Sequence, residues 1–147
     1  INNWWSDEDR EAFEKLTGKL IHQYNECEPI AAPGHKVNGA FTIGENIGDL
    51  GGLNIAIKAY SISLAGKEPP IIEGLTGMQR LFYGWAQVWQ IKIRTEAAIQ
   101  RIATDPHSPG EVRCNAVVRN VAEFYEAFDL KESDQLFLEP AQRVRIW

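Results

Sequence analysis

What is scarce in this chain closes off several classes of function. Cysteine occurs twice, at Cys27 and Cys114, and never as Cys-x-x-Cys, so a cysteine-ligated zinc site is excluded. One disulfide or two free buried thiols are both compatible with that spacing. Histidine occurs three times, at His22, His35 and His107, with no pair four residues apart, so the chain holds no His-Glu-x-x-His of its own. The lack of any Glu-x-x-His pair speaks against a di-iron carboxylate bundle. Lys and Arg number 15 against 20 Asp and Glu, for a net charge of −5, and they form no run. Nucleic acid is therefore not an expected partner, since phosphate binding needs a concentrated basic footprint. No apolar stretch approaches the roughly 20 residues of a membrane span. A Gly-x-Ser-x-Gly elbow and a phosphate-cradling loop are also absent. The start, Ile1-Asn2-Asn3-Trp4-Trp5, has neither a Met nor the basic-then-apolar form of a signal peptide, and reads as a processed product or an excised piece.

What is present describes an ordinary globular chain with an unusual centre. At 147 residues, 44% hydrophobic and 24% charged, it can build one proper core. Five Trp are many for this length, and some of that surface is expected to line a pocket or meet another part of a larger protein. The spacing predicts a helix opened by a Ser6 cap, with Phe13, Leu16, Leu20, Ile21 and Tyr24 on one face, ending near Asn25. A loop follows, with a short extended piece expected within residues 35–41. A long helix is read from Ile43 to Ala65. Thr76-Gly77-Met78-Gln79 has the capping-box form. It should open a helix carrying Leu81, Phe82, Trp85, Val88, Trp89 and Ile91, apolar almost all round and hence buried, which Lys92 and Arg94 close. Helices are also read at 95–103, 110–118 and 120–128. Pro140 leaves residues 136–147 irregular or extended.

Glu45 and Asp49 lie four residues apart inside the long helix, among Gly48, Gly51 and Gly52. They share one face, where like charges repel, so the pair makes sense if something cationic stands in front of it. Each glycine costs up to about 1 kcal/mol against Ala in a helix, and close approach of a backbone or ligand would compensate. His107 sits between Pro106 and Pro109, with Arg113 six residues on. A rigidly held His with an Arg, both donors, can bind a carbonyl oxygen, an oxyanion or a carboxylate. Without further information, solvated carboxylates and a surface turn remain the alternative.

Several blocks, in order, carry a specific resemblance. They are Trp4-Trp5-Ser6-Asp7-Glu8-Asp9, then Asn38-Gly39-Ala40-Phe41-Thr42-Ile43-Gly44-Glu45-Asn46-Ile47-Gly48-Asp49-Leu50-Gly51-Gly52-Leu53, and Phe82-Tyr83-Gly84-Trp85-Ala86-Gln87-Val88-Trp89. Thr104-Asp105-Pro106-His107-Ser108-Pro109-Gly110-Glu111-Val112-Arg113, Glu123-Phe124-Tyr125-Glu126-Ala127-Phe128 and Arg145-Ile146-Trp147 complete them. Nearly end to end, the chain resembles the C-terminal part of a bacterial-type neprilysin / endothelin-converting-enzyme family zinc metallopeptidase.

The resemblance implies a mainly α fold with little or no β, the C-terminal helical part of a thermolysin-like (gluzincin) catalytic domain filling residues 1–147. It implies that Glu45 is a zinc ligand and that Asp49 holds a zinc-binding histidine through its other ring nitrogen. It implies that His107 stabilises the oxyanion, that Arg113 binds the substrate backbone beyond the scissile bond, and that Val88 and Trp89 form part of the pocket for the following side chain. Peptides are the implied substrates, cut on the amino side of hydrophobic residues. One zinc ion is the implied cofactor, held only in the intact enzyme.

The His-Glu-x-x-His helix would precede Ile1, so the remaining N-terminal part of the enzyme is an implied partner and the chain alone is expected to be inactive. Val144 stands where animal relatives place a disulfide cysteine, which points to a bacterial enzyme, periplasmic or cell-surface rather than cytoplasmic. The alternative reading is a catalytically inert helical module that binds peptides or a partner through Trp-rich surface.

Overall fold

The computed structural model describes residues 5–146, so Trp4 and Trp147 of the quoted motifs lie outside the described residues. The elements run α1 (Asp7–Asn25), α2 (Gly39–Ser63), α3 (Gly77–Val88), α4 (Thr95–Thr104), α5 (Gly110–Val118) and α6 (Ala122–Phe128), then a 3₁₀ turn at Pro140–Gln142. Among the described residues the one β-type pairing is an isolated bridge between Ile72 and Leu75. The chain is mainly α. No helix among the described residues is long and apolar enough to cross a membrane.

Helix α2 is the spine. Leu50, Leu53 and Ile57 recur at helical spacing and are buried against Leu20 and Tyr24 of α1 and Val112, Ala116 and Val117 of α5. Helix α1 packs on both α2 and α5, while α3 packs on α6. In that second pairing, Phe82 meets Phe124 edge-on at 5.2 Å between ring centres. The chain end is tied back to the core. Buried Asn120 accepts the N–H of Val144 at 2.7 Å and exchanges hydrogen bonds with Gln23 of α1. Asn120 is therefore occupied before α6 begins, and that helix starts at Ala122 rather than at Asn120. Val144 is fully buried. Cys27 and Cys114 are both free thiols.

Local signals in the sequence set several helix ends. Ser6 Oγ accepts the Asp9 N–H at 3.0 Å. Both halves of the Thr76–Gln79 capping box are formed, at 2.9 and 3.2 Å. Where residues 35–41 were expected to hold an extended piece, α2 instead begins at Gly39. Asn38 caps it by accepting the Phe41 N–H, and the Gly39 N–H reaches Asn25 at the end of α1. Capping wins there over strand formation. Pro140 permits a single 3₁₀ turn because it stands at the turn's first position, where no N–H is needed.

The expectation that α3 is buried all round, and ends at Lys92 and Arg94, is corrected. The helix stops at Val88, and of its large side chains only Phe82 is fully buried. Val88 is 69% exposed. Residues 90–94 carry no regular structure, and Ile91, 56% exposed, lies alongside the 110 turn, where a Cβ on Gly110 would be 2.9 Å from its Cδ1.

The glycine reading is also corrected. A Cβ on Gly48 or Gly52 would meet nothing within 4 Å, whereas one on Gly39 would lie 2.4 Å from the Ile21 carbonyl oxygen. The tight helix–helix approach is thus at the start of α2, not at Gly48 or Gly52. Gly48→Ala should stabilise the chain by up to about 1 kcal/mol, and Gly39→Ala should destabilise it by about 1–3 kcal/mol because backbone must move; urea unfolding of both variants checks the opposite signs.

Burial raises the pKa of both thiols. In the folded chain both should therefore react with a disulfide reagent far more slowly than in denaturant, and faster as pH rises toward and above the usual thiol range. A denatured, unreduced sample should titrate as two thiols; none would mean a disulfide.

Candidate functional site

The carboxylates of α2 are separated by what stands opposite each. Asp49 forms a bidentate pair with Arg113 of α5, Oδ2 accepting from Nε at 2.6 Å and Oδ1 from Nη2 at 2.7 Å. The side chains are only 11% and 17% exposed, so the pair is largely desolvated. Asp49's hydrogen bonds hold the Arg113 guanidinium's pKa above its already high ordinary value, and it is charged wherever the protein is folded. The guanidinium also lies 4.2 Å from the centre of the Trp89 ring, a cation–π contact that fixes its plane. Glu45, one turn earlier, faces His107 Nε2 at 3.3 Å. These two side chains are 47% and 45% exposed, which leaves Glu45 open to another partner. The cation in front of Asp49 thus comes from this chain, as Arg113.

The turn that carries His107 is held from both ends. Asp105 Oδ1 accepts the His107 backbone N–H at 3.0 Å and contacts ring Nδ1 at 2.7 Å. Those hydrogen bonds keep the Asp105 carboxyl below the usual carboxylate range. An ionised Asp105 requires a proton on Nδ1, so Nε2 is the nitrogen presented toward Glu45. Ser108 Oγ donates to Asn46 Oδ1 at 2.8 Å, and Asn46, fully buried, donates from Nδ2 to Thr42 Oγ1 at 2.9 Å. This chain of bonds pins the turn to α2 one residue after Glu45.

Two further groups surround the pair. Tyr24 of α1 is fully buried, and its hydroxyl has no hydrogen-bond partner in the structure. Burial first, and then the charge of Asp49, push its pKa upward, so it stays neutral. The indole N–H of Trp89 is likewise buried without a partner. Trp89, His107 and Arg113 border a cavity of about 380 Å³ whose wall includes Ile91, Ile93 and Ala98.

Of the residues singled out in the sequence, Glu45, Asp49, His107, Arg113 and Trp89 converge here. Val88 does not line the cavity and points outward. Asp105, Asn46 and Ser108 were given no role. For Asp105 a signal existed, because an Asp two residues before a constrained His is the spacing of an Asx turn. For Asn46 and Ser108 there was none.

A catalytic zinc takes three protein ligands and an open position. Among the described residues no group of three His, Cys, Asp or Glu side chains could hold a metal ion. Glu45 fits as one half-exposed carboxylate ligand, and the chain alone makes no complete site. Asn46→Ala should destabilise the fold by about 2–4 kcal/mol, since it strands the buried Ser108 hydroxyl as well as removing two buried hydrogen bonds. Thermal unfolding checks this, and Asn46→Asp should rescue less than Asn46→Gln if donation to Thr42 matters.

With this geometry in view, comparison with known proteins is direct. The sequence profile of Peptidase family M13 matches residues 1–144. Over all 147 residues the chain is 34% identical to the neutral endopeptidase of Lactococcus lactis subsp. lactis (strain IL1403), of which it covers 21%. It is 36% identical to human neprilysin over a 149-residue alignment spanning 99% of this chain and 20% of that protein. Among solved structures it superimposes on zinc metalloprotease ZMP1 of Mycobacterium tuberculosis, in complex with inhibitor, with a TM-score of 0.96 and 58% identity. That match covers the whole of this chain and 23% of the other. PepO of Lactobacillus rhamnosis HN001 matches with a TM-score of 0.82 and 31% identity, over 100% of this chain and 21% of its own. The chain thus spans about a fifth of the length of the curated relatives it matches. With the family profile matching almost its full length, this chain belongs to peptidase family M13.

Proposed function

We propose that this chain is the C-terminal part of the catalytic domain of a zinc metalloendopeptidase, hydrolysing peptides on the amino side of hydrophobic residues, and that it is inactive alone. One observation carries the reading. Glu45, His107 and the Asp49–Arg113 pair, drawn from α2, the Asp105–Pro109 turn and α5, meet at the mouth of an apolar cavity. Family membership and the metalloprotease relatives support it.

Zinc, when bound, supplies Lewis-acid polarisation of the scissile carbonyl and an activated water. Glu45 would be its one ligand from this chain. Asp49 accepts two bonds from Arg113, yet a carboxylate has about four lone-pair sites, so it can still orient a ligand histidine from elsewhere in the protein. His107, protonated, donates through Nε2 to the developing oxyanion while Asp105 holds its other nitrogen. Arg113 keeps N–H groups not used by Asp49, and these face a substrate carbonyl on the leaving side. Trp89 supplies the apolar wall for the residue after the scissile bond. A periplasmic or cell-surface bacterial location completes the proposal, and fractionation of cells expressing the complete protein tests it.

In the complete enzyme, His107→Ala should lower kcat by about 10²–10³ with little change in KM; turnover like wild type would remove His107 from the mechanism. Asp105→Asn tests the holder. Because the Asp105 pKa is lowered on folding, its contribution is fully present above the usual carboxylate range and is lost as pH falls through the lowered value. The stability that Asp105 gives the turn should therefore persist into the mildly acidic range, read by thermal unfolding against pH, and Asp105→Asn should lower the rate across the whole profile. The isolated chain with added zinc should cut no fluorogenic peptide, and chelator-sensitive cleavage would mean that it supplies ligands beyond Glu45.

A further inference from the structure

The turn between α4 and α5 reaches α2 through a buried hydroxyl to which the mechanism above gives no part. Ser108 Oγ donates to Asn46 Oδ1 at 2.8 Å, and both residues are buried. The direction of this bond is set from its far end. Thr42 uses its hydroxyl proton on the Asn38 carbonyl at 3.1 Å, so its Oγ1 is left to accept from Asn46 Nδ2. Asn46 must then turn its carbonyl toward Ser108, and Ser108 must donate. The chain of bonds ends at Asn38, the residue that caps α2, so the turn is tied to the start of that helix.

Sequence neighbours give the bond its consequence. Asn46 follows Glu45, and Ser108 follows His107, so one buried bond joins the residues next to two half-exposed functional side chains. No other contact described above does the same work. The Glu45–His107 approach at 3.3 Å is between half-exposed groups, which hold each other weakly. Asp105 orients the His107 ring but belongs to the same turn, so it does not set the distance of that turn from α2. The Asp49–Arg113 pair places the start of α5, and Pro109 passes that placement on by accepting the Arg113 N–H at 2.9 Å. Ser108 and His107 lie beyond that point. We infer that Ser108 is a positioning residue for the oxyanion step, its bond to Asn46 setting the place of the His107 ring relative to the Glu45 carboxylate. The inference rests on the peptidase reading and adds to it the group that keeps the oxyanion donor in register with the metal side of the site.

In the complete enzyme, Ser108→Ala should lower kcat by about ten- to hundredfold, the scale on which a misplaced reacting group acts, with KM and bound zinc unchanged. Ser108→Thr keeps the hydroxyl and should recover most of the rate. The decisive comparison is a double-mutant cycle with His107→Ala. If Ser108 acts through His107, Ser108→Ala adds nothing to the loss already caused by His107→Ala. Losses that multiply would make Ser108 a general support of the fold and overturn the inference. So would a kcat like wild type in Ser108→Ala, and so would loss of zinc from that variant, which would assign the bond to Glu45 instead. Should Ser108→Ala fail to fold, Ser108→Cys, of similar shape and a weak donor, carries the same cycle.

A second readout does not depend on turnover. In protein labelled at histidine, the ring signal of His107 is identified by its absence from the spectrum of His107→Ala. That signal should shift or broaden in Ser108→Ala and return to its place in Ser108→Thr. An unchanged signal in Ser108→Ala overturns the inference. A shifted signal in a protein that cuts no peptide would sink the peptidase reading and leave the hold of Ser108 on His107 standing.

Discussion

The bidentate pair between Asp49 and Arg113 is the constraint on which the rest of the site depends. It joins α2 to α5 across 64 residues of sequence, beside the fully buried Tyr24 and against the Trp89 ring. A charge pair so poorly exposed stands only when both members are present, since removing either strands the other at a typical cost of about 3–5 kcal/mol. Its fork geometry fixes rotation as well as distance. That fixes where α5 begins relative to α2, and hence where the turn just before α5 can lie.

The turn is then held by short bonds rather than by bulk. Asp105 grips His107 within the turn, and Ser108 joins it to Asn46, the residue next to Glu45. Two stiff prolines reduce the freedom that these bonds must remove. As a result His107 and Glu45, on different elements, meet at 3.3 Å with both side chains half exposed. One half of the site is thus rigid and buried, while the other is equally well placed but open. An arrangement of that kind presents Glu45 and His107 to something outside the chain. The relatives, about five times longer than this chain, supply a source for it.

The outer face of α2 has the same unfinished character. Gly48 and Gly52 have open space where a Cβ would stand, and Ile55 and Ile62 are well exposed. Inside the chain these glycines only weaken the helix, so their compensation is not found in its own packing. Tight glycine contacts are found instead at the helix starts: Gly39 and Gly110 open α2 and α5, the two helices that carry Asp49 and Arg113, and Gly77 opens α3 against Tyr60 and Pro69.

The sequence by itself determined what a few neighbouring residues can settle. Helical periodicity, the Thr76–Gln79 box, the Ser6 cap and the proline-bounded His107 depend on contacts within a turn or two; the box and the cap formed as read, and each helix formed with some of its ends shifted. The one-turn spacing of Glu45 and Asp49 was equally plain. One local reading failed, the extended piece at residues 35–41, which the Asn38 cap displaced; the others that failed needed neighbours distant in sequence: the burial of α3, the outward turn of Val88 and the purpose of Gly48. Only the tertiary structure decided that Arg113 belongs to Asp49 and that Asn46 anchors Ser108. The physical reason is the same in each case. Local hydrogen bonding and periodicity are properties of a segment, whereas the pairing of charges and the walls of a cavity depend on how packed helices cross, which no segment encodes alone.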